Sequence, residues 1–285
     1  MNNRSLKIFV TLAETLSFTK AGILLHMSTS TLSRSIAQLE DELGTRLFER
    51  DNRSVALTNA GQIFLEYSRE SLQQWELLLN SLMTETKSLH GSLSIYCSVT
   101  ASYSFLYDIL TNFRQLHPRI SLNLHTGDHA QAIDRVNQGL EDVAIAARQT
   151  PMPAGMVFKT ITHSPLILIT AVQDETDYDD QQWPRLPLIL PEQGVARRRI
   201  DDWFAEKAIT PTIQAQVAGH EAIVSMVSLG FGVGLVPKIV VENSPLAGQV
   251  KICALQPDLA AYEVGVCVLE KRLRSPLVQA FWGQI

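Results

Sequence analysis

The sequence predicts an α/β protein in three parts: a small helical head ending in a hairpin over residues 1–58, a long helix over 59–89, and an α/β domain over 90–285. Three observations predict it. Short apolar patterns of helical period, separated by capping and turn residues, fill the head up to Gly44. One apolar stripe continues through the second part. In the third, apolar runs of strand length alternate with amphipathic stretches, the pattern of a sheet covered by helices.

The head begins with Leu6, Phe9, Val10 and Ala13 at i, i+3, i+4, i+7, one face of a helix. Ser17 is placed to N-cap a second, short helix through Leu25, with Phe18, Ala21 and Leu25 inward. His26-Met27-Ser28 forms the turn. Ser28 then caps a third helix from about Thr29 to Leu43, whose inward stripe is Leu32, Ile36, Leu39 and Leu43 and whose stop is Gly44. Two helices joined by so short a turn, the second polar on its outside, make a helix-turn-helix. That outer face carries Thr29, Ser30, Thr31, Ser33, Arg34 and Gln38 beside the cap Ser28. Arginine can bridge two acceptors on guanine, and hydroxyls reach base edges or phosphates. An ordinary solvated face of a helical bundle has the same composition. The next segment decides between them: Asp51-Asn52 reads as the tip of a tight hairpin with Arg50 and Arg53 projecting, a wing that grips the DNA backbone or minor groove.

The stretch S-F-T-K-A-G-x-L-L-H-M-S-x-S-x-L-S-R-x-I-x-x-L-E-x-x-L-G-x-x-L-F-x-R-x-x-R-x-x-x-L-T-x-A-G, from Ser17 to Gly61, resembles the LysR-type transcriptional regulators nearly position by position. The resemblance implies a winged helix-turn-helix in which Thr29, Ser30, Ser33 and Arg34 read bases and Arg50 and Arg53 lie on the wing. Two departures stand out. Gly22 replaces the usual second alanine, which is expected to loosen the second helix. Thr29-Ser30 replaces the common Gln-Pro pair, so base preference does not carry over there.

Thr58 can cap a helix running to about Ser88, with Phe64, Tyr67, Ser71, Trp75, Leu78 and Leu82 as a stripe spaced 3 or 4 apart. The stripe suits a second copy of the helix, or the chain's own following domain. The family resemblance implies the former: an antiparallel linker helix pair making homodimers and tetramers as dimers of dimers, binding an operator with an interrupted inverted repeat and acting with RNA polymerase.

In residues 90–285, Leu93–Cys97, Ser121–His125, Val143–Ala147, Leu166–Ile169, Leu188–Leu190 and Val264–Leu269 read as strands. Phe105–Leu116, Ala130–Gln138, Arg198–Lys207 and Glu221–Leu229 read as helices. The alternation predicts a parallel sheet with ligands at the carboxyl ends of its strands. Four loops there are candidates: Ser98-Val99-Thr100-Ala101-Ser102, Thr126-Gly127-Asp128, Glu192-Gln193-Gly194 with Arg197-Arg198-Arg199, and Gly219-His220-Glu221. Each loop alone is also an ordinary cap and turn. Together, hydroxyls, helix N-termini and arginine suit a small carboxylate. The expected binding set is Ser98, Thr100, Ala101, Ser102, Gly127, Asp128, Gln193, Arg197, Arg198 and His220, with Arg197 or Arg198 on the carboxylate. By family resemblance the domain is a two-lobed, periplasmic-binding-protein-like α/β effector domain, lobe I being 90–162 plus 266–285 and lobe II 163–265. Several stretches, Ile95–Tyr103, Gln193–Trp203, Gly219–Met226, Val240–Pro245 and Val264–Leu273, are similar to a narrower branch of the family. That branch activates branched-chain amino acid synthesis, which implies acetolactate and acetohydroxybutyrate as inducers.

Composition bounds these readings. At 285 residues with 46% hydrophobic and 19% charged, the chain has material for two domains and no disorder signature. No apolar run approaches the ~20 residues that span a bilayer. The opening run to Phe18 is interrupted by Glu14 and followed by no small-residue cleavage site, so a cytoplasmic protein without membrane attachment is expected. Cys97, Cys253 and Cys267 form neither a disulfide framework nor a CxxC metal site. The net charge of −5 weighs against nucleic acid, yet residues 1–58 hold seven Lys/Arg against six Asp/Glu while the remainder holds 17 against 23. Locally Arg34, Arg46, Arg50 and Arg53 fall close together, and a phosphate contact needs a placed cation more than a large net charge. Gly230–Leu235, His125 with His129, and the scattered serines and histidines lack the contexts of a phosphate loop, a zinc site or a catalytic triad. No catalysis and no cofactor are expected. The competing readings are a regulator of another pathway responding to a different small acid, such as an aromatic one, and a solute-binding or enzymatic α/β protein that leaves DNA alone.

Overall fold

The computed structural model describes residues 2–50, 55–82, 89–176, 185–253 and 259–285. They form two compact units, one ending at Lys87 and the other beginning at Ser88.

The first unit opens with α1 (Asn3–Thr15), α2 (Phe18–Leu24) and α3 (Thr29–Leu43). Each start is capped by a short polar side chain that satisfies an otherwise orphaned N–H. Asn2 accepts from Ser5 N at 2.9 Å, Ser17 from Lys20 N at 3.3 Å, and Ser28 from Thr31 N at 3.2 Å. Gly44 ends α3 at φ +69°, a conformation that costs glycine little. Leu32, Ile36 and Leu39 are buried in one cluster with Phe9 and Leu12. Leu43, expected inward, is instead 38% exposed: it is the last helical residue and lies beyond the stripe's contact with α1. Gly22, expected to loosen α2, sits where space is short, since a Cβ there would meet the Met27 carbonyl oxygen at 2.8 Å.

Strands β1 (Phe48–Arg50) and β2 (Val55–Leu57) pair antiparallel. The expected hairpin tip Asp51-Asn52, together with Arg53, lies outside the described residues, as does the side chain of Arg50. Glu40 of α3 ties the wing down by accepting from Leu47 N at 2.9 Å and Phe48 N at 3.1 Å. Thr58 donates its hydroxyl to the Arg46 carbonyl at 2.8 Å and accepts from Gly61 N at 2.9 Å. A Cβ on Gly61 would lie 2.1 Å from the Leu47 carbonyl oxygen, which accounts for the glycine. The 24-residue helix α4 (Asn59–Leu82) extends about 36 Å from there; residues 83–88 lie outside the description. Phe64 packs on Phe9 at 4.8 Å between ring centres, and Phe9 on Phe48 at 5.3 Å, so one buried ring joins α1, the wing and α4. Ile63 beside Phe64, and Tyr67, Trp75 and Leu78 farther along α4, are exposed on this chain.

The second unit holds two five-stranded sheets. In chain order its elements are β3 (Gly91–Cys97), α5 (Val99–Ser104), α6 (Leu106–Leu116), β4 (Ile120–Thr126), α7 (Ala132–Asn137), β5 (Val143–Ala147) and β6 (Met156–Ser164). Then come β7 (Leu166–Ala171), β8 (Pro187–Pro191), α8 (Val195–Glu206), β9 (Thr212–Val217), α9 (His220–Ser228), β10 (Val233–Pro237), α10 (Lys238–Glu242) and β11 (Val250–Ile252). β12 (Tyr262–Leu269) and α11 (Pro276–Trp282) close the chain. The first lobe has strand order β4-β3-β5-β12-β6 and the second β11-β7-β10-β8-β9.

Two expectations are corrected. The sheets are mixed rather than parallel: β12 runs antiparallel to β5 and β6, and β7 antiparallel to β10 and β11. Parallel neighbours need a crossover connection, whereas β12 comes back from the other lobe to lie between β5 and β6, and β6 passes into β7 of the other sheet through Pro165 alone. The return to the first lobe also comes earlier than residue 266, because Tyr262 already pairs with Ser164 and Val264 with Ala147.

Since Phe9 joins three elements, Phe9→Ala should destabilise the first unit by roughly 3–5 kcal/mol, while Leu43→Ala should cost under about 1 kcal/mol. Urea unfolding followed by helix signal measures both; equal losses would contradict the assigned burial.

Candidate functional site: nucleic-acid face and ligand cleft

With its apolar stripe buried, α3 turns Thr29, Ser30, Thr31, Arg34 and Gln38 to solvent, and Ser33 is half-buried beside them. Ser28 is occupied differently. Besides capping Thr31 N, its hydroxyl pairs with those of Ser30 at 3.0 Å and Thr31 at 2.8 Å, so it orders the helix start. Next to this face runs a polar groove of about 370 Å³ between the start of α1 and α3, lined by Arg4, Thr31, Ser35 and Gln38 among others. Arg4 is an exposed cation that the sequence reading passed over. A signal existed: an arginine in the first turn of α1 opposes the helix dipole, so its place there needs an outside reason.

In the second unit, loops from both lobes meet across a cleft. Ser98 caps α5, accepting from Ala101 N at 3.2 Å. Thr100, only 4% exposed, donates its backbone N–H at 3.0 Å and its hydroxyl to Glu221 Oε1 of the opposite lobe. Gln193 donates to Asp128 Oδ2 at 2.8 Å, another bond between lobes. Asp128 also accepts from Ala130 N at 3.0 Å. Tyr96 donates its hydroxyl to the Asp128 carbonyl at 3.1 Å, so close that a Cβ on Gly127 would touch the phenol oxygen. Beneath these contacts His129 stacks on His220, ring centres 4.2 Å apart.

A cavity of about 60 Å³ lies in the cleft, room for several water-sized groups. It brings together Ser98, Thr100, Ala101 and His220 of the expected set, and adds His129, Ser164 and Tyr262, which sequence reasoning missed. Ser102, Gly127, Asp128, Gln193, Arg197 and Arg198 are not in its wall. Arg197 is held elsewhere: its Nε donates to Asp201 at 2.8 and 2.9 Å and its Nη1 to the Pro191 carbonyl at 3.0 Å and to Gln216. Arg198 is exposed. Ser102 spends its hydroxyl on the Val99 carbonyl at 2.6 Å.

Burial sets the protonation states. It pushes the His220 imidazole well below its ordinary value, with His129 adding repulsion. His129 is lowered by burial too, against the pull of Asp128 and Glu221. Burial raises the Tyr262 phenol. It also raises the thiols, Cys97 and Cys267 to about 12 and Cys253 to about 11, which suppresses the reactive thiolate. Among the described residues no group of three or more potential metal ligands is assembled.

Residues 3–62 match the family model described as bacterial regulatory helix-turn-helix protein, lysR family, and residues 86–285 that of the LysR substrate binding domain. The chain is 41% identical over 294 residues to the HTH-type transcriptional activator IlvY of Haemophilus influenzae, covering 100% of both chains. It is 42% identical to IlvY of Salmonella typhimurium, over 99% of this chain and 98% of the relative. Among solved structures, full-length CbnR complexed with its target DNA superposes with a TM-score of 0.67 at 21% identity, over 100% of this chain and 99% of that one, a likeness of fold.

With all three thiols buried, a disulfide reagent at pH 8 should leave the folded protein unmodified and titrate three thiols after unfolding. Rapid modification of the native protein would show that the cleft and cores open far more than their packing implies.

Proposed function

This chain belongs to the LysR family of bacterial helix-turn-helix transcriptional regulators, and from that premise we propose that it is an inducer-dependent activator of branched-chain amino acid biosynthesis. The observation that carries the reading is identity of 41% or more to IlvY activators along the entire chain, head and sensing domain alike. On this reading acetolactate and acetohydroxybutyrate, small hydroxy-keto acids, are the inducers. They bind in the cleft between the lobes, where Ser98 and Thr100 supply hydroxyls.

The head binds double-stranded DNA. Thr29, Ser30, Thr31 and Arg34 face base edges, with Ser33 and Gln38 flanking; Arg4 joins Arg50 and Arg53 as a phosphate contact. The exposed stripe on α4, with Tyr67, Trp75 and Leu78, supports a homodimer through paired α4 helices, and a tetramer as a dimer of dimers. Two heads then meet half-sites about 10 bp apart or a multiple of it, in an interrupted inverted repeat. RNA polymerase is the partner through which activation is exerted. No helix of the described residues is long and apolar enough to cross a membrane, and the protein works in the cytoplasm, where its DNA is.

Binding to such an operator should weaken linearly in log affinity with log salt. Arg34→Ala should cost roughly 1–3 kcal/mol and relax base preference, whereas Arg4→Ala and Arg53→Ala should weaken all sequences alike. Fluorescence anisotropy with operator and scrambled duplexes separates the two behaviours; salt-insensitive association, or none, would favour a solute-binding protein. In thermal unfolding, either hydroxy-keto acid at about 100 times its Kd should add about 2.7 kcal/mol. A shift from an aromatic acid instead would move the protein to another pathway.

A further inference from the structure

Among the described residues, no lysine or arginine is in the wall of the cavity. Anionic groups are already near. Asp128 Oδ1 lies 3.4 Å from His129 Nδ1, and Glu221 follows His220 on α9. Tyr262 on β12 and Tyr96 beside Asp128 also face this region, with Arg199 5.9 Å from the Tyr262 ring and Arg135 4.8 Å from the Tyr96 ring, neither in the cavity wall; burial raises both phenols and keeps them neutral. A small carboxylate entering here meets repulsion rather than a waiting guanidinium.

The wall does contain two bases. His129 comes from the first lobe and His220 from the second, and their stacked rings span the seam. Both Nε2 atoms are buried and have no hydrogen-bond partner among the described residues. Buried polar nitrogens left so are uncommon and expensive, and a bound group that satisfies them is one explanation for their retention. The surrounding backbone is shaped to them: Gly194, at φ +99° at the start of α8, would bring a Cβ to 2.9 Å from His129 Nε2.

We propose that His129 and His220 form the recognition pair for the anionic end of the inducer, and that the pair takes up a proton as the acid binds. The proposal rests on the small-acid reading above and replaces arginine with a charge made on demand. Before binding, both rings are neutral because burial penalises the imidazolium. An anion against Nε2 removes that penalty, and a proton from solvent converts one ring into a donor cation. The mutual repulsion of stacked rings limits uptake to one of them. No bond other than N–H is made, and the proton comes from the buffer. Because the two rings belong to different lobes, the same event draws the lobes together at the ligand.

Calorimetric titration of the full-length protein with acetolactate near neutral pH, in two buffers of different ionisation enthalpy, tests this. The measured enthalpy should change with buffer in the direction of proton uptake, and affinity should rise up to about tenfold per pH unit of acidification. His220→Gln and His129→Gln keep polar side chains that cannot take the charge; the double variant should lose the buffer dependence and weaken binding at least about tenfold, whereas either single variant, with one ring left to take the proton, should keep it. Tight binding by the wild type with buffer-independent enthalpy overturns the proposal and leaves the small-acid reading standing, whether or not the variants fold. Absence of binding by acetolactate and acetohydroxybutyrate alike overturns the small-acid reading, and the histidine pair falls with it.

Discussion

The head depends on one constraint: α3 has to bury Leu32, Ile36 and Leu39 in the cluster that contains Phe9 and Leu12. Each such side chain contributes about 1.5–3 kcal/mol by leaving water, so rotation of α3 about its axis is strongly resisted. At 3.6 residues per turn, fixing that stripe fixes what faces away from it: the hydroxyls at the helix start, then Arg34, then Gln38. The polar bonds refine this arrangement. Glu40 holds the wing through two backbone N–H groups, and Thr58 joins the wing's end to the start of α4. The presentation of this polar face is thus a consequence of packing, and the hydrogen bonds set where the wing begins relative to it.

The sensing domain solves a different problem. Its two sheets each bury their own core, with clusters around Phe113 and Phe281 in the first lobe and Ile200 and Phe204 in the second. Between them the polar contacts are few, the Thr100–Glu221 and Gln193–Asp128 bonds and the stacked histidines, beside a cavity wall that is mostly apolar. Hydrogen bonds of this kind contribute about 0.5–1.5 kcal/mol each, little beside either core. A ligand that satisfies the buried nitrogens can therefore compete with, or add to, the existing contacts on equal energetic terms. Such a balance is what a sensor needs, because a ligand shifts an equilibrium only by its differential affinity for two states.

Much of this was legible in the residues. Ser17, Ser28, Gly44 and Thr58 announced the helix ends, because capping is a local interaction between a side chain and the N–H or backbone conformation beside it. The strands of six apolar runs were visible for the same reason. Leu43 was misread because periodicity continues to the end of a helix while the packing partner stops earlier. Strands β6, β9 and β11 were missed, being half-exposed, at the sheet edge, or too short to show a pattern, while β10, buried at the centre of its sheet, was hidden by the glycines of Gly230–Leu235. Strand direction was misread because an alternating pattern does not record where the chain changes sheets. Arg197 looked free in one dimension; Asp201, one helical turn on, was the sign that it is engaged. His129, weighed only with His125 as a zinc site, was not placed in the cleft because its partner His220 is 91 positions away, on the other lobe.

The most direct test of the central claim, that α3 reads base edges in the major groove, is dimethyl sulfate interference on the operator. Methylation at guanine N7 blocks the acceptors an arginine would bridge. Interference at guanines one helical turn apart or a multiple of it, absent at the corresponding guanine for Arg34→Ala, is the result the account predicts. Interference confined to adenine N3 in the minor groove, or a pattern that Arg34→Ala leaves unchanged, would contradict it.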